Sequence, residues 1–125
     1  LIIEDNRDIA AYIGAQFASQ YAISYATNGD EGLDKAQQLV PDLIITDLMM
    51  PGIDGFEVIR RLRAADDTKD LPIIILSALN SEQDISKGFQ LGANDFINKP
   101  IIMEKLLSSV TTQINLQAAK QQLNN

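Results

Sequence analysis

Short apolar runs alternate with helical patterns along the whole chain, and four of the runs end in residues that carry chemistry. Leu1-Ile2-Ile3 ends in Glu4-Asp5, and Leu43-Ile44-Ile45-Thr46 ends in Asp47. Ile73-Ile74-Ile75-Leu76 ends in Ser77, and Phe96-Ile97-Asn98 ends in Lys99-Pro100. Such alternation argues for βαβ units and a parallel sheet. If the runs are parallel strands, their downstream ends share one rim. Three carboxylates, a hydroxyl and an ammonium then meet there, where open α/β sheets bind their ligands. That set can hold a divalent cation and accept a phosphoryl group.

The elements follow from periodicity and punctuation. Strands are expected at 1–3, 22–26, 43–46, 73–76 and 95–98. Asn6 is a helix N-cap, and Ile9, Ile13 and Phe17 recur on one face behind it. After Asn28-Gly29, Leu33, Ala36 and Val40 stripe a second helix that stops before Pro41. A Met-, Pro- and Gly-rich loop from Leu48 to Gly55 leads into a third, with Phe56, Ile59 and Leu62 or Arg63 on a shared face. Ser81 to Asp84 resembles a capping box with Asp in place of Glu; Ile85 and Phe89 give the fourth helix an apolar face, and Gly92 stops it. A last helix begins near Ile102 and runs toward Leu123, with Leu106, Leu107, Val110 and Ile114 as its apolar face. The first, third and fourth strands are apolar almost throughout, as expected when helices cover both faces of the sheet.

A chain of 125 residues is most simply one domain able to bury a core. Its net charge of -7 on ten basic residues argues against direct nucleic-acid binding, which needs clustered Lys and Arg. There is no cysteine, so disulfides and thiolate metal sites are excluded. No apolar run approaches the ~20 residues of a membrane helix, so no membrane contact is expected. The chain opens on Leu1 inside a strand-like run and reads as a fragment or processed product, so the lack of a leader carries no weight.

Taken singly, the rim residues have ordinary readings. Glu4 and Asp5 can simply favour a helix N-terminus, Asp47 can be a turn residue, Ser77 a strand-end cap and Lys99 a solvated charge. Together they differ. Three clustered carboxylates need a proton or a cation, and hard oxygen donors suit Mg²⁺. A hydroxyl can donate to one phosphoryl oxygen while an ammonium neutralises another.

Glu4-Asp5-Asn6, the loop Asp47-Leu48-Met49-Met50-Pro51-Gly52-Ile53-Asp54-Gly55, Leu76-Ser77-Ala78 and Lys99-Pro100 together resemble the receiver domains of two-component response regulators. The resemblance covers the chain to about residue 115. It implies a doubly wound, five-stranded parallel sheet of flavodoxin-like order 2-1-3-4-5 over residues 1–115, with 116–125 as a helical extension or linker. It implies that Asp47 accepts a phosphoryl group from phosphohistidine and that Ser77 and Lys99 contact it. Asp5, Asp47 and the backbone carbonyl of Met49 would ligate Mg²⁺, with Glu4 in reach directly or through water. Phe96 falls at the switch aromatic, linked to Ser77. Met49 and Leu79 fall where the family tunes dephosphorylation, and Lys99-Pro100 is expected to be cis. The product is a cytoplasmic signalling phosphoacceptor, not an enzyme, although it promotes its own phosphorylation and dephosphorylation. Its expected partners are a sensor histidine kinase or histidine phosphotransfer domain, an attached effector or kinase domain, and a second copy of itself. Ile101 replaces a common Phe, and the last helix lacks the Arg that some receivers use to dimerise.

Other readings fit less well. An aspartyl-phosphate phosphatase of the haloacid dehalogenase type needs an acid two residues after its nucleophile, where Met49 stands. A dinucleotide or flavin domain lacks its G-x-G-x-x-G. A receiver that has lost phosphorylation would not keep the full acid, hydroxyl and lysine set. With no histidine, the chain cannot be its own phosphohistidine donor. The sequence does not decide between the receiver of a transcription factor, the receiver segment of a hybrid histidine kinase and a single-domain regulator, although the Glu4-Asp5-Asn6-Arg7-Asp8 opening resembles receivers fused behind sensor kinases.

Overall fold

A computed structural model describes residues 1–123, so 124–125, the end of the expected extension, lie outside the described residues. Five strands, β1 (Ile2–Ile3), β2 (Tyr25–Ala26), β3 (Ile44–Asp47), β4 (Ile73–Ser77) and β5 (Asp95–Asn98), alternate with five helices. The helices are α1 (Arg7–Phe17), α2 (Gly29–Leu39), α3 (Gly55–Ala64), α4 (Glu82–Leu91) and α5 (Met103–Leu123). All strand pairs are parallel, in the order β2-β1-β3-β4-β5.

Successive strand residues point to opposite faces, so each apolar run feeds two cores. Ile2, Ile45, Ile74 and Leu76 pack with Ile13 and Phe17 of α1 and with Leu106 and Val110 of α5. Ile3, Ile44, Ile73 and Ile75 pack on the other face with Ala36 of α2 and Val58, Ile59 and Leu62 of α3. The uninterrupted apolar runs are thus explained by helices on both sides.

Local chemistry sets the helix ends. The Asn6 side chain accepts from the N–H groups of Asp8 and Ile9 at 3.0 and 3.1 Å. The Ser81 hydroxyl accepts from Asp84 N–H at 3.1 Å and donates to the Asp84 carboxylate at 2.7 Å. The capping box is therefore only half formed. Asp is one methylene shorter than Glu and closes on the cap's hydroxyl. Gly92 ends α4 at φ 115°.

Several sequence expectations need correction. β2 spans two residues, not 22–26, because its one partner, β1, offers only Ile2 and Ile3 to pair with Tyr25 and Ala26. Val40 is not on the buried stripe of α2. It is 46% exposed and sits in the left-handed region at φ 41°, where its N–H closes on the Ala36 carbonyl ahead of Pro41. Phe89 is 45% exposed, since Gly88 takes the inward position against Ile75. Leu107 of α5 also faces out. No described helix is long and apolar enough to cross a membrane.

Candidate functional site

The parallel register brings the strand ends to one rim. Ile3 pairs with Thr46, Asp47 with Leu76, and Ser77 with Asn98. Glu4, Asp47, Ser77 and Lys99 each stand at or one residue beyond a strand end. Asp5 follows Glu4 on the solvent side.

Carboxylate oxygens of Glu4, Asp5 and Asp47 lie within 4.8 Å of one another. Glu4 and Asp47 are buried at 2% and 5% exposure, whereas Asp5 is exposed. The Lys99 ammonium stands between the two buried acids, with Nζ 3.0 Å from Glu4 Oε2 and 3.0 Å from Asp47 Oδ2. The Lys99-Pro100 bond is cis. Met49 N–H donates to Asp47 Oδ1 at 3.3 Å, and Asn6 N–H donates to Glu4 Oε1 at 3.2 Å. The buried Ser77 hydroxyl accepts from Leu79 N–H at 2.9 Å.

The loop after Asp47 is shaped by its glycines. A Cβ on Gly55 would lie 2.3 Å from the Asp47 carbonyl oxygen and 2.8 Å from Leu48 Cα. Only glycine lets the start of α3 close on the Asp47 backbone. Gly52 sits at φ 83°, a conformation L side chains rarely adopt.

The electrostatics are those of an under-neutralised acid cluster. Burial pushes the Glu4 carboxyl above its usual range; the Lys99 hydrogen bond opposes this and the Asp47 charge adds to it. Burial pulls the Lys99 ammonium down, but hydrogen bonds to Asp47 and Glu4 outweigh it and raise the group above its ordinary value. One ammonium thus faces three carboxylates. Such a set of hard oxygen donors can hold a metal ion, and a divalent cation is what its charge lacks.

All the expected residues except Phe96 gather at this rim. Phe96 lies on β5 below it, half-buried, with its ring against Gly88 of α4; a Cβ on Gly88 would sit 3.7 Å from the ring. Met49 reaches outward at 60% exposure. What the sequence reading missed is the Glu4–Lys99 bridge, because it had aimed Lys99 only at a phosphoryl group. The bridge joins the ends of β1 and β5, which are not neighbours in the sheet, so neither local pattern nor strand pairing signals it.

The family model described as "Response regulator receiver domain" matches residues 1–111. The chain is 35% identical over 121 residues to hybrid signal transduction histidine kinase D of Dictyostelium discoideum, covering 97% of this chain and 8% of that protein. It is 40% identical over 111 residues to the DNA-binding dual master transcriptional regulator RpaA of Synechocystis, covering 88% and 46%. Among solved structures, a putative response regulator from Chloroflexus aurantiacus superposes with TM-score 0.85 at 31% identity, covering 91% of this chain and 94% of that one. The signal receiver domain of a histidine kinase from Syntrophus aciditrophicus does so at 0.83 and 31%, covering 91% and 87%. The chain thus spans less than half the length of either curated relative. Fold, rim and matches agree, and the chain belongs to the response regulator receiver domain family.

Proposed function

We propose that Asp47 is the phosphoacceptor and that the domain signals by the change its phosphorylation produces. The observation that carries this reading is Lys99 Nζ at 3.0 Å from the Asp47 carboxylate, on the rim that also holds Ser77. An Asp47 oxygen attacks the phosphorus of a phosphohistidine. The P–N bond breaks, and its electron pair leaves with the imidazole. The reaction is mostly positioning and charge stabilisation. Lys99 is already at the nucleophile and meets the incoming oxygens as a cation. Ser77 already accepts from Leu79, so its own proton is available for a phosphoryl oxygen. Asp5, Asp47 and the Met49 carbonyl, with Glu4 nearby, would hold Mg²⁺. Bound there, the ion supplies positive charge against the oxygens of the transferring group.

The phosphohistidine belongs to a sensor histidine kinase or a histidine phosphotransfer domain, since this chain has no histidine. As part of this reading the domain acts in the cytoplasm, where receivers of this family meet their donors. The domain turns over no separate substrate, and its output passes to an attached effector or kinase domain. Relatives of both architectures support that last step.

The test is incubation with acetyl phosphate and Mg²⁺, followed by intact mass and borohydride trapping. The expected result is one phosphoryl group per chain, lost with EDTA and lost in Asp47→Asn. Wild-type labelling in Asp47→Asn would overturn the assignment.

A further inference from the structure

An open sheet has two edges, and here each is met by a charged side chain of the same chain. β2 and β5 are the edge strands. On β2, the Ser24 and Ala26 carbonyls accept from the Ile2 and Glu4 N–H groups, so Tyr25 between them turns its carbonyl away from the sheet. The Lys35 ammonium of α2 donates to that carbonyl. On β5, Lys99 N–H donates to the Ser77 carbonyl of β4 at 2.9 Å. Phe96, an odd number of residues before Lys99, therefore turns its N–H to the open side. The Asp95 carboxylate takes that N–H through Oδ1 at 2.8 Å.

Both charges are braced from the helix beside them. Lys35 also pairs with Glu31 at 3.2 Å, and Glu31 accepts from the Thr27 hydroxyl at 3.2 Å. The second oxygen of Asp95, Oδ2, accepts from the Ser109 hydroxyl of α5 at 2.5 Å, and Ser109 is buried. Each charge suits the backbone group it meets: a cation on the carbonyl, an anion on the N–H. An open edge is a template for another strand, and a charge seated on it must be moved before pairing begins. The β5 edge is the greater hazard, with four residues against two in β2. Two β5 strands meeting about a two-fold axis would run antiparallel. With Phe96 facing Phe96, each outward N–H would donate to the other's outward carbonyl. Both bonds need the N–H that Asp95 already holds.

We propose that Asp95, braced by Ser109, closes the β5 edge against strand pairing with a second copy of this chain, and that Lys35 does the same for β2. The inference is independent of the phosphoacceptor reading, because neither side chain belongs to the rim. It directs any self-association of the native domain to its helices. Removing the Asp95 side chain should tighten self-association about tenfold, the scale of one or two net hydrogen bonds.

The test compares Asp95→Ala with Asp95→Asn, which loses the same charge but keeps an acceptor oxygen for Phe96 N–H. Sedimentation at physiological ionic strength, where repulsion from the net charge of -7 is largely screened, reads association. Asp95→Ala should dimerise as its concentration rises, and Asp95→Asn should sediment like wild type. Exchange of the Phe96 amide locates the contact: in Asp95→Ala it should be fast in dilute solution and slow again when concentrated, and in wild type it should not depend on concentration. Adding Lys35→Ala to Asp95→Ala opens the second edge and should carry association past the dimer. An Asp95→Ala protein that sediments like wild type would overturn the proposal. So would equal association of Asp95→Asn, which would make charge the cause, or association that leaves the Phe96 amide unprotected. A double variant that stops at the dimer would overturn the part given to Lys35. Ser109→Ala keeps the carboxylate and removes only its brace, so it decides the matter if Asp95→Ala does not fold. Its Phe96 amide should exchange faster than in wild type when dilute, and an unchanged rate would overturn the proposal.

Discussion

Glu4 shows how function and stability pull apart at one residue. Its folded-state pKa lies above the unfolded value of 4.5, chiefly through burial, so the fold prefers the neutral carboxyl. The contribution to stability is then most favourable below pH 4.5 and declines as pH rises through that value toward the folded pKa. Glu4→Gln, which fixes a neutral group of the same shape, should make the metal-free domain more stable than wild type at pH 7. That gain should fade as pH drops below 4.5, where wild type is also neutral. Urea midpoints at the two pH values check the sign, and a variant less stable at pH 7 would refute it. Gly55→Ala tests the neighbouring backbone. The added Cβ meets main-chain atoms of Asp47 and Leu48, which cannot swing away as a side chain could. We expect a loss of about 1–3 kcal/mol, the usual cost of overpacking, together with slower phosphorylation. Stability unchanged within error would show that the loop yields. The residue types of this site were legible from strand ends alone. The Glu4–Lys99 bridge spans 95 positions of sequence, and no local pattern reports it.

Among the helices, α4 is the one least held by its own core. Gly88 is its single fully buried residue. Its C-terminal end is tied down: the Arg63 guanidinium donates to the Gly92 carbonyl at 2.7 and 3.1 Å and to the Leu71 carbonyl at 2.6 Å. Its N-terminal end follows the loop whose Leu79 N–H is bonded to the Ser77 hydroxyl. A Ser77 drawn toward a phosphoryl group would therefore carry that loop with it and alter the space that Phe96 shares with Gly88. Beryllofluoride, standing in for the phosphoryl group, should shift amides continuously from Ser77 through Leu79 and the first turn of α4 to Phe96, with small shifts at Gly92. Shifts confined to the Asp47 loop would rule out the coupling. This element also marks where periodicity ran out. Spacing alone put Phe89 inward and left Arg63 as an alternative to Leu62. Helical spacing identifies a face but not how the helix rolls on the sheet. Here the close approach of Ile75 to Gly88 decides the roll, and that contact depends on tertiary packing.

At the scale of the whole molecule, the sheet explains why the site could be read before the structure was known. Parallel βα units place every strand's downstream end on one side, so chain order and rim membership are the same fact. The lateral order of the strands is different. The alternation predicts a parallel sheet in any of several orders, and the order came from the family resemblance, not from spacing. The far end of α5 is where the domain stops explaining the chain. α5 has 21 residues, ~32 Å at the usual helical rise, whereas β4, the longest strand, has five. Leu106 and Val110 are buried and Ile114 partly so, but Leu116 is 51% exposed. Beyond it come Gln117, Lys120 and Gln121, which offer the core nothing to bury. The helix runs antiparallel to the strands, so this overhang leaves the domain at the end opposite Asp47. We therefore propose 1–115 as the receiver unit and the following turns as a helical connector toward a neighbouring domain or a second copy. Amide exchange on the isolated domain should show protection through Ile114 and fast exchange beyond Leu116, because an overhanging helix keeps only its marginal intrinsic stability. Protection at Lys120 equal to that at Val110 in a monomer would mean that α5 is held along its full length by its own domain, and the connector assignment would fail.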